Sequence, residues 1–174
     1  MASTPTTPSD PGTHAASADP RISGRLMAAT YVVGGVMLGV SFATHPNNAE
    51  AAAYWASAGC VGGVGLLSFV RHSVFHRSDA ARMGWDYGRR NDFQIEVGIA
   101  NLSWGAVGIL AWALAWGAAA AGAITLSFGV YMLGASLLHL GDIRGGTDRR
   151  PGPAVASLAF AIALLVAGFS GVTA

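Results

Sequence analysis

Five long apolar stretches, separated by short polar segments, divide the chain. A helix needs about 20 mostly apolar residues to cross ~30 Å of hydrocarbon. The first candidate is Leu26 to Thr44, closed by the polar turn His45-Pro46-Asn47-Asn48. The second is Ala51 to Val70. Tyr54 and Trp55 stand near its start, where amphipathic rings favour the membrane–water boundary. The third is Phe93 to Trp116. A tight link, Gly117 to Ala121, leads to the fourth, from about Gly122 to Leu140. The last is Pro153 to Val172. The pattern predicts an all-α polytopic bundle of five transmembrane helices occupying residues 21–174.

Residues 1–20 are rich in Ser, Thr, Pro and Ala, and their only charges are Asp10 and Asp19. Such a segment buries too little apolar surface to offset its ordering entropy, so a disordered tail is expected. A secretory signal would place its apolar run at the very start. Here that run begins only at Leu26, which reads as an uncleaved first span.

Charge gives the orientation. The ten basic residues are all arginine, at 21 and 25, at 71, 77, 82, 89 and 90, and at 144, 149 and 150. With the N-terminus inside, all ten lie on one side of the five spans. The loops 45–50 and 117–121 carry none. The excess of basic residues in cytoplasmic loops therefore places the N-terminus in the cytoplasm and the C-terminus outside, in a plasma (inner) membrane. A four-span reading would leave arginine-bearing loops on both sides.

Composition agrees. Charged residues make up 11% of the chain, against about 25% in soluble domains. There are 24 glycines, and the mean hydropathy is +0.46. The net charge of +1 is spread over short loops, so no nucleic-acid partner is expected. Cys60 is the single cysteine, sits in an apolar run and is expected to be a small buried residue. Small residues recur at helical spacing: Gly35 and Gly39, Gly59 and Gly63, then Gly98, Asn101, Gly105 and Gly108. Such stripes let membrane helices approach closely. Packing within the bundle is the first reading, and homo-oligomerisation through one stripe the second.

The loop Arg71 to Asp92 reads as an interfacial segment. Arg71, His72, His76, Trp85, Arg89 and Arg90 are its candidate membrane-interface residues. His72 and His76 are four apart, but two ligands without a third make no metal site. Ser78-Asp79 reads as the cap of a short helix.

Ionisable groups inside a span are costly and mark function by default. They are Glu96 in span three and His139 in span four, with Gln94, Asn101, Ser103 and Tyr131 as neutral polar neighbours. Glu96 lies 23 residues before the centre of the 117–121 link, and His139 lies 20 after it. At ~1.5 Å per residue their depths differ by only about 4–5 Å. A polar cluster of Glu96, Asn101, His139, Gln94 and Tyr131 is expected, either fastening helices or binding a ligand or proton.

The run Phe93-Gln94-Ile95-Glu96-Val97-Gly98-Ile99-Ala100-Asn101-Leu102, then Gly105 to Leu110, resembles the central segment of the DUF6790 family. The stretch from Phe128-Gly129-Val130-Tyr131 to His139-Leu140 resembles that family's second recognisable segment. The resemblance covers roughly residues 54 to 170. It implies a small bacterial integral membrane protein, with polar residues kept at Glu96, Asn101 and His139. The overall shape also resembles the wider DoxX-like group. Neither likeness implies an activity.

Three functions follow as expectations. The first is a small scaffold or accessory membrane protein, supported by the lack of a Gly-x-Ser-x-Gly, His-Glu-x-x-His or phosphate-loop motif. The second is binding or transport of a small or lipophilic molecule in a polar pocket between spans three and four. The third is a membrane redox component, which would need two axial histidines such as His72 and His139. No cofactor is expected, and the lipid bilayer is the expected surroundings.

Overall fold

The helix α1 (Pro20–Thr44) starts where Asp19 caps it, its carboxylate accepting a hydrogen bond from the Arg21 N–H at 2.9 Å, with Pro20 in the first turn. The computed structural model describes residues 19–84, 90–145 and 151–174. The predicted tail therefore lies outside the described residues up to position 18. Asn48 caps the second helix, α2 (Ala49–Val74), in the same way through the Ala51 N–H. A short helix, α3 (His76–Met83), follows after a break at Phe75 and ends on Gly84, whose φ of 78° needs the left-handed region that glycine tolerates. Asn91 caps α4 (Asp92–Ala113). A turn ending at Gly117, φ 93°, leads into α5 (Ala118–Arg144), and α6 (Pro151–Val172) closes the chain.

The described residues are helical, with no strand among them. Five helices (α1, α2, α4, α5 and α6) are long and apolar enough to cross a membrane. The fold is thus an all-α polytopic bundle. Several helices run past their apolar stretches: α1 begins at Pro20 rather than Leu26, and α2 continues to Val74. Backbone hydrogen bonding is completed within a helix, so a helix has no reason to stop where hydrophobicity does.

The central helix is α2. It packs on α1 to one side and α4 on the other, and α5 and α6 form a hairpin that meets it mainly through its first half. Cys60, Val61 and Val64 of α2, Phe128 of α5 and Leu164 of α6 form the buried core. Glycine explains the closeness of α2 and α4. A methyl group added at Gly65 would lie 2.6 Å from the Asn101 carbonyl oxygen and 2.9 Å from the Gly105 Cα. Gly122 and Gly168 give α5 and α6 the same intimacy. By contrast, a methyl at Gly35 or Gly39 would meet nothing within 4 Å. The α1 pair faces outward.

Two parts of α2 are wound as π-helix, Ala56–Gly63 and Val70–Val74. The first lies at Gly59, Gly62 and Gly63, where Met37, Ile109 and Val33 fill the space that side chains would need. The second carries Arg71 and His72. A π turn holds more residues than an α turn, so consecutive side chains fall closer together around the axis. That winding lets two adjacent residues face one partner.

Candidate functional site

That partner is Asp79. The break at Phe75, with φ −105° and ψ 32°, folds α3 back beneath the bundle against α1. The Ser23 N–H of α1 donates to Ser78 Oγ at 3.0 Å, and Ser78 Oγ donates to the Asp19 carbonyl. The docking of α3 leaves Asp79 only 1% exposed. Isolated carboxylates are not left in such a place without partners.

Its partners come from four helices. Ser23 Oγ of α1 donates to Oδ1, and itself accepts from Arg82 Nε at 3.0 Å. Arg82 of α3 reaches Oδ1 through Nη2 at 3.0 Å and Nε at 3.2 Å. Arg71 of α2 holds Nε 3.7 Å from Oδ1, an ion pair too long for a hydrogen bond. On the other oxygen, Gln94 Nε2 of α4 donates to Oδ2 at 2.8 Å, and His72 Nδ1 of α2 stands 2.8 Å away. Burial alone would push the Asp79 carboxyl up. The His72 contact, the Arg71 charge and the Ser23 hydroxyl outweigh it and hold the group well below the usual carboxylate range.

The histidine tautomer follows from chemistry. Arg71 Nη2 lies 2.6 Å from His72 Nε2. A guanidinium has donors and no acceptor, so Nε2 must present its lone pair. The remaining proton sits on Nδ1, the nitrogen nearest Asp79. Arg71, His72 and Asp79 thus lie in one polar cluster, in which the His72 Nδ1–Oδ2 approach is a close ionic contact without hydrogen-bond alignment.

A second polar contact lies deeper. Asn101 Nδ2 donates to the Val97 carbonyl at 2.8 Å and to Tyr131 Oη at 3.2 Å, joining α4 to α5. The Tyr131 ring is 4.5 Å from that of Trp104, and Phe128 completes the aromatic group. At the opposite end of the bundle, a cavity of about 260 Å³ lies between α1, α2 and α6, with Phe42, Ala52 and Val166 among its mostly apolar walls.

A family model matches residues 23–172, which takes in nearly all of the five long helices and every side chain that meets Asp79. The chain belongs to the DUF6790 family. That family is described as one of unknown function. No curated protein and no solved structure is significantly similar to the chain. Membership in DUF6790 assigns no activity, so the multi-pass membrane reading rests on the five long apolar helices and the chemistry must be read from this chain's own residues.

In this DUF6790 protein the expected polar residues separate into groups. Gln94 joins Asp79, and Asn101 meets Tyr131. Glu96 is exposed, on the outer face of α4 with Phe93, Ile99 and Ser103. His139 is half-buried near the end of α5. Neither Glu96 nor His139 is a partner of Asp79.

The interfacial loop differs from expectation in direction. Arg71 and His72 turn into the bundle, 15% and 19% exposed at the side chain, rather than out to headgroups. The π turn and the burial of Asp79 account for that. His76 does not share a face with His72, because the helix breaks between them. Its Nδ1 donates to the Ser73 carbonyl at 3.1 Å. Arg90 is exposed and paired with Asp92 at 2.6 Å. Trp85 and Arg89 lie outside the described residues. Sequence reasoning missed Ser23, Asp79 and Arg82 as one unit. The available signal was an acid three residues before an arginine in a loop rich in arginine, a spacing that pairs on a helix.

Proposed function

We propose that this protein is a small scaffold or accessory component of the plasma membrane, with its arginine-bearing end in the cytoplasm. The observation that carries the reading is the commitment of Asp79. Its hydrogen-bond donors come from α1, α3 and α4 and its further ionic partners from α2, all of its own chain, so its charge is spent on holding helices together. Directional buried networks of this kind fix which helix packs where. The uneven distribution of arginine supports the orientation.

The test compares two carboxylate variants, each purified and each in cells. Asp79→Asn is expected to weaken the fold and to act only through that loss. Glu96→Gln leaves the network intact and is expected to change neither folding nor phenotype. A Glu96→Gln protein that folds normally yet alters the cells' response to a small molecule would overturn the scaffold reading in favour of ligand binding.

A further inference from the structure

Arg21 and Arg25 are one helical turn apart, and both are exposed on α1. Residues four apart on a helix are neighbours on one face. Ser23, between them, points the other way, into the Asp79 network. Among the described residues the ion pairs engage Arg71, His72, Arg82 and Arg90, and neither Arg21 nor Arg25 takes part in one. Asp19 is occupied in capping the backbone N–H of Arg21.

Depth fixes what these guanidiniums meet. The 25 residues of α1 span about 38 Å, some 8 Å more than a ~30 Å hydrocarbon layer. With the apolar part of α1 centred in the layer, Arg21 lies among headgroups and Arg25 at their lower edge. The face continues into the bilayer through Ala28 and Val32, both exposed, Val32 at 64%.

We propose that this face of α1 binds an anionic phospholipid, its phosphate held by Arg21 and Arg25 and its acyl chain lying along Ala28 and Val32. Charge selects that occupant. A second copy docked in parallel through the same face would set four unpaired guanidiniums at one depth, which repel. A zwitterionic lipid brings its own cation to the arginine pair. An anionic headgroup neutralises the pair, and the planar guanidinium fork matches phosphate in two-point contact. The proposal stands apart from the scaffold reading and does not depend on it.

The test uses the full chain in zwitterionic detergent, offered equal amounts of phosphatidylglycerol and phosphatidylcholine, with bound lipid counted by native mass spectrometry. Wild type is expected to retain phosphatidylglycerol preferentially, and less so as salt rises. The double variant Arg21→Gln with Arg25→Gln is expected to lose that preference by about tenfold to thirtyfold. Arg144→Gln, at an exposed arginine on the end of α5, is expected to keep it. Four results would each overturn the proposal: an unchanged double variant, an equal loss in Arg144→Gln, full competition by inorganic phosphate at the lipid's concentration, or efficient disulfide cross-linking between copies carrying Gly35→Cys in a bilayer. Should the double variant not fold, a wild-type preference insensitive to salt decides against the proposal on its own.

Discussion

Asp79→Asn removes one charge while keeping the shape of the side chain, and the structure gives its expected cost. Asp79 is 1% exposed, and its arginine partners Arg71 and Arg82 are 15% and 14% exposed. Loss of the carboxylate leaves two largely buried guanidiniums without it. Removing one partner of a buried pair costs about 3–5 kcal/mol. The new amide adds to this. Donors already approach both oxygens, from Ser23 and Arg82 on one side and Gln94 and His72 on the other. Turned toward the Oδ1 position its NH₂ faces the Arg82 guanidinium, and turned toward the Oδ2 position it requires the Gln94 amide to turn and accept. The low end, about 3 kcal/mol, is expected because the arginines retain some contact with solvent. Unfolding by sodium dodecyl sulfate from mild micelles, followed by helical circular dichroism, measures it. The cycle is completed with Arg82→Gln and the double variant, for which a coupling within about 0.5–3 kcal/mol is expected. An Asp79→Asn protein within about 0.5 kcal/mol of wild type, or strict additivity with Arg82→Gln, would refute the role of the Asp79 network in holding these helices together.

Other outcomes follow from the same geometry. The Asp79 pKa is lowered by folding, so its contribution to stability is fully present above the unfolded carboxylate value of about 3.9 and is lost as pH falls below it. Stability measured against pH should therefore show an acid limb that Asp79→Asn reduces, and an identical limb in the variant would count against it. Gly65→Ala places a methyl against the backbone of α4 and should cost about 1–3 kcal/mol, whereas Gly35→Ala meets nothing and should be neutral or gain up to about 1 kcal/mol. The same detergent titration ranks the two, and equal effects would contradict the packing. Gly117→Ala forces an L-residue to φ 93° and should lose about 1–2 kcal/mol despite open space around it. Tyr54→Phe removes the acceptor of the Gly117 N–H at 2.9 Å, and faster amide exchange at Gly117 would report the loss.

The spans were legible because the signals that make them are local. Apolar length and loop charge are written in consecutive residues, and a bilayer reads them in the same one-dimensional way. Packing was legible in part. Gly59, Gly63, Gly98, Gly105 and Gly108 all abut neighbouring helices, while Gly35 and Gly39, in an identical spacing, face outward. Spacing shows that a helix can be approached closely but not by what. The Asn101–Tyr131 contact joins residues 30 apart in the chain and needed the relative rotation of α4 and α5, which hydropathy does not carry.

Asp79 was illegible for a more instructive reason. The search for costly charges looked inside the apolar runs, where an ionisable group must justify itself. Asp79 lies outside them, in a segment whose arginines and serine suggest a solvated loop and a helix cap. What buries it is the return of α3 beneath α1, set by the break at Phe75 and by Ser78 meeting the start of α1. The residues that receive it, Arg71 and His72, lie in the π turn that ends α2. Each of these is a small departure from ideal helix, and none leaves a mark in hydrophobic periodicity. A charge at the end of the bundle also faces a lower desolvation cost than one at mid-membrane, so the chain can place a dense ionic contact there without lengthening or interrupting any span. The boundary of the bundle, rather than its apolar interior, is where this fold concentrates its directional chemistry.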